Sequence, residues 1–431
     1  MRLTSIELEN FRCFEKEKIE LHPQLNVFVG VNASGKTALL EGIAIGIGQF
    51  FLGMNIHRSM NFSIMPTDER QISTNGKNAA RQVVRIKCSG YLDGYEDEQT
   101  WLIKYGESLT ALESQDLTKL SYGIYSSIAS GNENDLPVIS YLSTQRLWGG
   151  DDSEGNQVQD LSGNIRKLGA YVDALSKKSN TLHFEKELEQ MQLVVSQGKE
   201  FGFVYDSSRL DLIRNIAAKV IEDCKIFYYD YEKQSLAVIF DDGRRLTIDE
   251  LSDGQKSLLL ISTGIAFQCA TLNPHMGLDA YKSNGVVLID EVELHLHPDW
   301  QRQILPILTR EFPNIQFICT THSPQVLSTL NRENVQVIEN FHVRPLDHYV
   351  RGRDSNAILS EVFGIEKRPK EYGDQLQHFY ALLEDNEYSK AKEILESLEE
   401  IWGSMDPEIV RGWLFWADGQ EVVLDDAEEV A

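Results

Sequence analysis

Polar and apolar residues alternate from Leu3 to Leu8, the period-two pattern of a strand with one buried face. Leu25 to Val29 is almost wholly apolar and reads as a strand covered on both sides. Ala38 to Leu52 stays apolar for longer than strands run, which predicts a helix. Alternation returns over residues 81–105, predicting paired hairpin strands. Asp135 to Leu142 is a short apolar strand that ends in the text Ser-Thr-Gln-Arg-Leu-Trp. Residues 160–223 have helical spacing, with Phe184, Leu188 and Met191 on one face. Strands resume at Ile226–Tyr231 and Leu236–Phe240, and a long apolar helix runs to about Leu272. Val286–Ile289 and Gln316–Thr320 read as buried strands flanking a helix from Pro298 to Arg310. From residue 354 onward the spacing is helical. Apolar strands alternating with helices predict an α/β fold built on a mixed, mainly parallel sheet with flanking helices.

Composition narrows the class. With 431 residues and 42% hydrophobic content, the chain can bury a large core without disulfide or metal staples. Its net charge of −25 argues against a surface that clings generally to nucleic acid or anionic membrane. The charge is uneven: from Asp374 to Ala431 there are 16 acids and three bases, about half of the whole excess. A locally basic stretch lies between Asn55 and Lys87, holding His57, Arg58, Arg70, Lys77, Arg81, Arg85 and Lys87. It is a candidate for DNA contact, against the plainer reading of a solvated loop and hairpin. Five dispersed cysteines without a CxxC pair suit reduced, buried thiols. The charged, alternating start is no signal peptide, and no apolar run approaches a membrane span. A cytoplasmic location without membrane partners is expected.

Candidate chemistry is concentrated in four short texts. Gly30-Val31-Asn32-Ala33-Ser34-Gly35-Lys36-Thr37 fits a phosphate loop between a strand and a helix. Its backbone N–H groups would wrap phosphate oxygens at a helix N-terminus, Lys36 would reach the β- and γ-phosphates, and Thr37 would hold Mg²⁺. Val286-Val-Leu-Ile-Asp290-Glu291 ends a buried strand in two acids. Asp290 is the expected Mg²⁺ partner and Glu291 the group that polarises the attacking water. Leu251-Ser252-Asp253-Gly254-Gln255-Lys256-Ser257 opens the long helix with Ser252 as N-cap, a turn suited to an anion. Thr320-Thr321-His322-Ser323-Pro324 closes the next strand with a histidine placed to sense a γ-phosphate. His295 and His297 invite a metal reading, but no third ligand accompanies them.

As an ordered set, these motifs resemble the ABC-type ATPases of the Rad50/RecF/OLD group, with Asp253 where that group usually has glycine in its signature motif. The resemblance implies the remaining roles. Ser252, Gly254 and Gln255 would face ATP bound by a second copy, giving an ATP-sandwiched homodimer or higher oligomer. Arg12, closing the first strand, would lie beside the nucleotide. Gln145 would be the Q-loop glutamine, linking Mg²⁺ or water to the body of the protein. His322 would be the switch histidine. The implied architecture is an ATPase head split between residues 1–150 and 226–345, an inserted helical subdomain at 151–225 and an acidic helical extension at 346–431. The segment joining the phosphate loop to the signature lacks the sustained heptads of a coiled-coil cable.

Residues after His322 show no nuclease-type acidic cluster, so no nuclease site is expected in this chain. The texts around residues 141–148, 320–324, 352–369 and 387–400 look most like the compact ATPase subunits of Septu anti-phage systems (PtuA). Those subunits work with a separate HNH nuclease. That implies an ATP-hydrolysing subunit regulating such a partner, with DNA reached through the partner or the local basic patch. A RecF-like DNA-repair or DNA-loading ATPase and a nucleotide-gated scaffold with little turnover are the alternatives. Trp413, Leu414, Phe415 and Trp416, set among acids, suit either docking or packing back onto the parent.

Overall fold

The computed structural model describes residues 1–56, 63–70, 83–106, 116–145, 163–176, 181–365 and 368–429. They form two compact units, Met1–Arg353 and Asp354–Ala431. The division falls eight residues beyond the 345/346 boundary that the sequence suggests. The expected insertion at 151–225 falls within the first unit, and part of it lies outside the described residues.

In the first unit, β1 (Arg2–Phe11), β2 (Phe14–Glu20) and β3 (Leu25–Val29) lead into α1 (Lys36–Gly53). Next come β4 (Val84–Tyr91), β5 (Gln99–Tyr105), α2 (Asp116–Ala129) and β6 (Val138–Leu142). Helices α3 (Thr181–Phe201) and α4 (Ser208–Val220) precede β7 (Cys224–Asp230), β8 (Ser235–Phe240) and β9 (Arg245–Thr247). The unit continues through α5 (Asp253–Leu272), β10 (Gly285–Ile289), α6 (Pro298–Glu311) and β11 (Ile315–Thr321). It ends with the short α7 (Pro324–Leu327), β12 (Val335–Glu339) and β13 (His342–Pro345).

The central sheet has the order β13-β12-β3-β11-β10-β6. All its pairings are parallel except the antiparallel edge β12–β13. A second, antiparallel sheet runs β2-β1-β4-β5, and a third β7-β8-β9. The fold is α/β with a mixed sheet and flanking helices, as the alternation predicts.

Helix α1 is apolar on nearly every side because it is covered on nearly every side. A Cβ on Gly42 would meet Leu8 at 3.0 Å, and one on Gly46 would meet the Cys88 Sγ at 2.5 Å. Two glycines one turn apart therefore let the helix lie against β1 and β4. From β5 of the same sheet, beside Cys88, the Trp101 indole donates to the Gly46 carbonyl at 2.9 Å.

Buried amides join parts of the chain that no local pattern connects. The Gln316 side chain, on β11, accepts from the Leu3 N–H and donates to the Leu3 and His22 carbonyls, each at 2.8 Å. This staples the central sheet to the antiparallel one. The Asn273 side chain accepts from the Leu136 N–H at 2.7 Å and donates to the Leu136 carbonyl at 2.8 Å, fixing the approach to β6. Each amide satisfies groups that would otherwise be buried unpaired.

The second unit holds α8 (Ser355–Phe363), α9 (Lys370–Glu384), α10 (Tyr388–Trp402) and α11 (Pro407–Glu429). Asp354 caps α8 by accepting from the Asn356 and Ala357 N–H groups. Phe379, Leu382, Ala391, Leu395, Leu398 and Ile409 form its core. The Trp413 and Trp416 indoles donate to Glu399 and to the Tyr388 carbonyl, so both tryptophans are engaged within the unit. Leu414 and Phe415 remain exposed.

Candidate active site

Parallel register brings the predicted residues to one edge. Thr321 pairs with Val29, and Ile289 pairs with both Cys319 and Leu142. The segments leaving β3, β10, β11 and β6 therefore emerge side by side, at the carboxyl edge where α/β sheets hold their ligands.

The phosphate loop leaves β3 at Gly30. A Cβ there would stand 2.5 Å from the Ile338 carbonyl oxygen, so only glycine fits. Ala33 and Gly35 have φ of 62° and 105°, the left-handed turns that wrap such a loop. Ser34 is buried, whereas Val31, Asn32 and Ala33 are exposed. The Lys36 ammonium donates to the carbonyls of Gly30 and Val31, each at 3.0 Å. Burial lowers its pKa, while Glu291, Asp290 and Glu293 act in the opposite sense.

The Thr37 hydroxyl donates to Asp290 Oδ2 at 2.9 Å, and the Thr320 hydroxyl donates to Asp290 Oδ1 at 2.6 Å. A hydroxyl beside a carboxylate is the hard-oxygen donor set that magnesium takes, so Thr37 and Asp290 fit the ion. Glu291 has φ of 46°, a left-handed conformation unusual for a non-glycine residue. Its N–H donates to Thr320 Oγ1 at 2.8 Å. His322 follows directly on β11. Burial lowers its pKa, the Lys36 charge acts in the same direction, and Asp290 opposes both.

Gln145 lies three residues beyond β6, exposed, with its N–H donating to Ser143 Oγ at 3.1 Å. Arg12 is held by two carboxylates. Its guanidinium is paired with Asp68 at 2.8 Å and with Glu41 on α1. The adjoining Cys13 does abut the loop, since a Cβ on Gly35 would lie 2.8 Å from its Sγ.

Ser252, Gly254 and Gln255 gather at the start of α5 as a capping box, Ser252 Oγ accepting from the Gln255 N–H at 3.3 Å. Gly254 packs on the ring of Trp300, in the first turn of α6. His295 and His297 are both exposed, and no cluster of three metal-ligating side chains occurs among the described residues. Of the basic stretch, Arg70 pairs with Glu15 and Arg85 with Glu9. His57, Arg58, Lys77 and Arg81 lie outside the described residues.

Two contributors escaped the sequence reading. Thr320 bridges Asp290 and Glu291, although its neighbour His322 drew the attention. Glu293 Oε1 accepts from the His322 N–H, and burial raises its pKa against that bond.

The family described as "AAA domain, putative AbiEii toxin, Type IV TA system" matches residues 25–328. The chain belongs to this AAA ATPase-domain family. Among relatives, it is 37% identical to "Retron Ec83 probable ATPase" of Escherichia coli, over 95% of this chain and 85% of that one. It is 25% identical to "Retron Vc95 probable ATPase" of Vibrio cholerae, over 80% and 74% of the two chains. It is 29% identical to "Septu protein PtuA" of Bacillus mycoides, over 36% of this chain and 22% of that one. Motif resemblance and family agree on a P-loop ATPase. The retron likenesses run through most of the chain, whereas this Septu likeness covers about a third. No helix among the described residues of this AAA-family ATPase is long and apolar enough to cross a membrane.

Proposed function

We propose that this chain binds and hydrolyses ATP with Mg²⁺, closes in pairs around the nucleotide, and thereby regulates a separate HNH-type nuclease in bacterial anti-phage defence. The observation that carries the ATPase part is the meeting of Thr37, Asp290 and Thr320 in one hydrogen-bonded cluster, with Lys36, Glu291 and His322 around it. Likeness to retron ATPases and to Septu PtuA supports the defence setting.

ATP with magnesium would supply the transferable phosphoryl group and the divalent charge that neutralises it. The chain's own residues do the rest. Lys36 offers its ammonium at the loop, and Thr37 with Asp290 offers the ion its oxygens. Thr320 locks the Glu291 backbone so that the carboxylate has one station from which to polarise water. His322 offers a neutral ring N–H to the phosphate side. Ser252, Gly254 and Gln255 stand at the N-terminus of α5, whose positive end would help complete a second copy's site.

The acidic second unit is the proposed docking surface for the nuclease. Exposed Leu414 and Phe415 supply apolar anchors among carboxylates. The deciding experiment compares ATP binding and turnover of the wild type and Lys36→Ala, with the nuclease co-expressed. Loss of nucleotide binding in the variant is expected. Undiminished binding would overturn the ATPase reading.

A further inference from the structure

We propose that Glu293 is the positioning residue of His322: its carboxylate holds the histidine's backbone N–H and so fixes where the imidazole stands at the phosphate side. The inference deepens the ATPase reading and rests on it for its kinetic consequence.

Glu293 sits in a tightly wound segment after β10. The Val292 N–H donates to the Thr320 carbonyl at 3.0 Å, Leu294 N–H to the Glu291 carbonyl at 2.9 Å, and Leu296 N–H to the Glu293 carbonyl at 2.9 Å. That backbone has little freedom, so the Glu293 side chain leaves from a fixed point. Its Oε1 takes the N–H of His322, while Thr321 Oγ1 accepts from the Ser323 N–H at 3.0 Å.

A second tie runs alongside. The Ser323 hydroxyl donates to Gln301 Oε1 at 2.6 Å, and Gln301 Nε2 donates to the Leu296 carbonyl at 2.8 Å. The turn carrying His322 is thus bound to the post-β10 segment on both sides of the histidine. The charged groups acting on the ring are Lys36 and Asp290, the groups expected to hold phosphate and metal.

A carboxylate so placed acts on catalysis through geometry alone, without touching substrate. An acceptor on the His322 N–H stops the turn from rocking, and a displacement of about 1 Å at a reacting centre costs on the order of 10²-fold in rate.

The test uses the full chain with Glu293→Ala, Glu293→Gln and Glu293→Asp, each also made in a His322→Ala background. Hydrogen exchange of the His322 amide reads the geometry without any turnover. Exchange should accelerate in Glu293→Ala and stay slow in Glu293→Gln, whose amide oxygen still accepts. Steady-state ATPase kinetics read the role. Glu293→Ala should lower kcat by about 10²-fold with KM nearly unchanged. Glu293→Gln should restore most of kcat. Glu293→Asp, which keeps the buried charge but draws it back by one methylene, should fall between them and serves if the alanine variant does not fold.

In the His322→Ala background the Glu293 substitutions should add no more than about a twofold further loss, since both residues act as one unit. Equal losses in the two backgrounds, or a His322 amide still protected in Glu293→Ala, would overturn the proposal. If the wild type hydrolyses no ATP, the ATPase reading fails by itself, and amide exchange still decides whether Glu293 holds the turn.

Discussion

Thr320 donates its hydroxyl proton to Asp290 Oδ1 at 2.6 Å, and Thr320 Oγ1 in turn accepts the Glu291 N–H at 2.8 Å. One fully buried hydroxyl therefore orients the carboxylate expected to bind metal and the backbone of the residue expected to activate water. Thr320→Val keeps the shape and removes both bonds. Leaving two buried polar groups unpaired should cost about 1–3 kcal/mol in denaturant unfolding and lower turnover at least ~10-fold. Thr320→Ser should recover most of both. Unchanged turnover in the valine variant would show that Asp290 needs no such support.

Glu291→Gln removes the proposed base but keeps the fold around it. ATP binding should persist while turnover falls by about 10²–10⁴-fold, the range for a lost general base. If two copies close around ATP, this variant should accumulate as an ATP-dependent dimer in size-exclusion chromatography with light scattering. A monomer at saturating ATP would remove the paired arrangement from the proposal.

His322 carries a linkage prediction. Its pKa in the fold is depressed below the ordinary 6.5 by burial and by Lys36. Between its folded and unfolded values the unfolded chain binds more protons, so the contribution to stability is full above about 6.5 and declines as pH falls below it. Comparing the pH dependence of unfolding for the wild type and His322→Gln should show this decline in the wild type and a flatter profile in the variant. An NMR titration midpoint at or above 6.5 in the nucleotide-free chain would contradict it.

Gly254 and Trp300 form a steric pair. A Cβ on Gly254 would approach Trp300 Cδ1 to 2.7 Å, so Gly254→Ala should shift the start of α5 and lower stability by roughly 1–3 kcal/mol. Trp300→Ala in the same chain should relieve that clash. Thermal unfolding of both single variants and the double variant checks the coupling, and strict additivity would argue against the contact.

In the second unit, Leu414→Ser with Phe415→Ser probes docking more cleanly than deleting residues 412–431. The deletion would also take away Trp413 and Trp416, which bond to Glu399 and Tyr388 inside the unit. The paired serine variant should keep its helical signal by circular dichroism and lose co-purification of the nuclease. Unaltered co-purification would free those two side chains from the role.

The legible part of the site was the part written in consecutive residues. Gly30 to Thr37, Asp290 with Glu291, the Ser252 cap and His322 each declare themselves through a strand or helix boundary and a short polar text. The contacts among them are long-range, and a single sequence carries no sign of them. Glu293 sits only three residues past Asp290, yet its function depends on a partner 29 positions away. Arg12 illustrates the same limit: its place at a strand end is legible, but its ion pairs with Glu41 and Asp68, 29 and 56 positions away, are not. Alternation or short apolar runs mark most strands, whereas β2, β9, β12 and β13 carry no such mark and the division into three sheets is not legible. That division depends on staples such as Gln316 to Leu3, a pairing 313 residues apart.

Helix α1 carries the phosphate loop at its head and lies against both the antiparallel sheet, at Gly42 and Gly46, and the central one. At those glycines the helix rests directly on the Leu8 and Phe11 side chains of β1 and the Cys88 side chain of β4. The antiparallel sheet is thus the bed on which the helix that begins at the phosphate loop is seated.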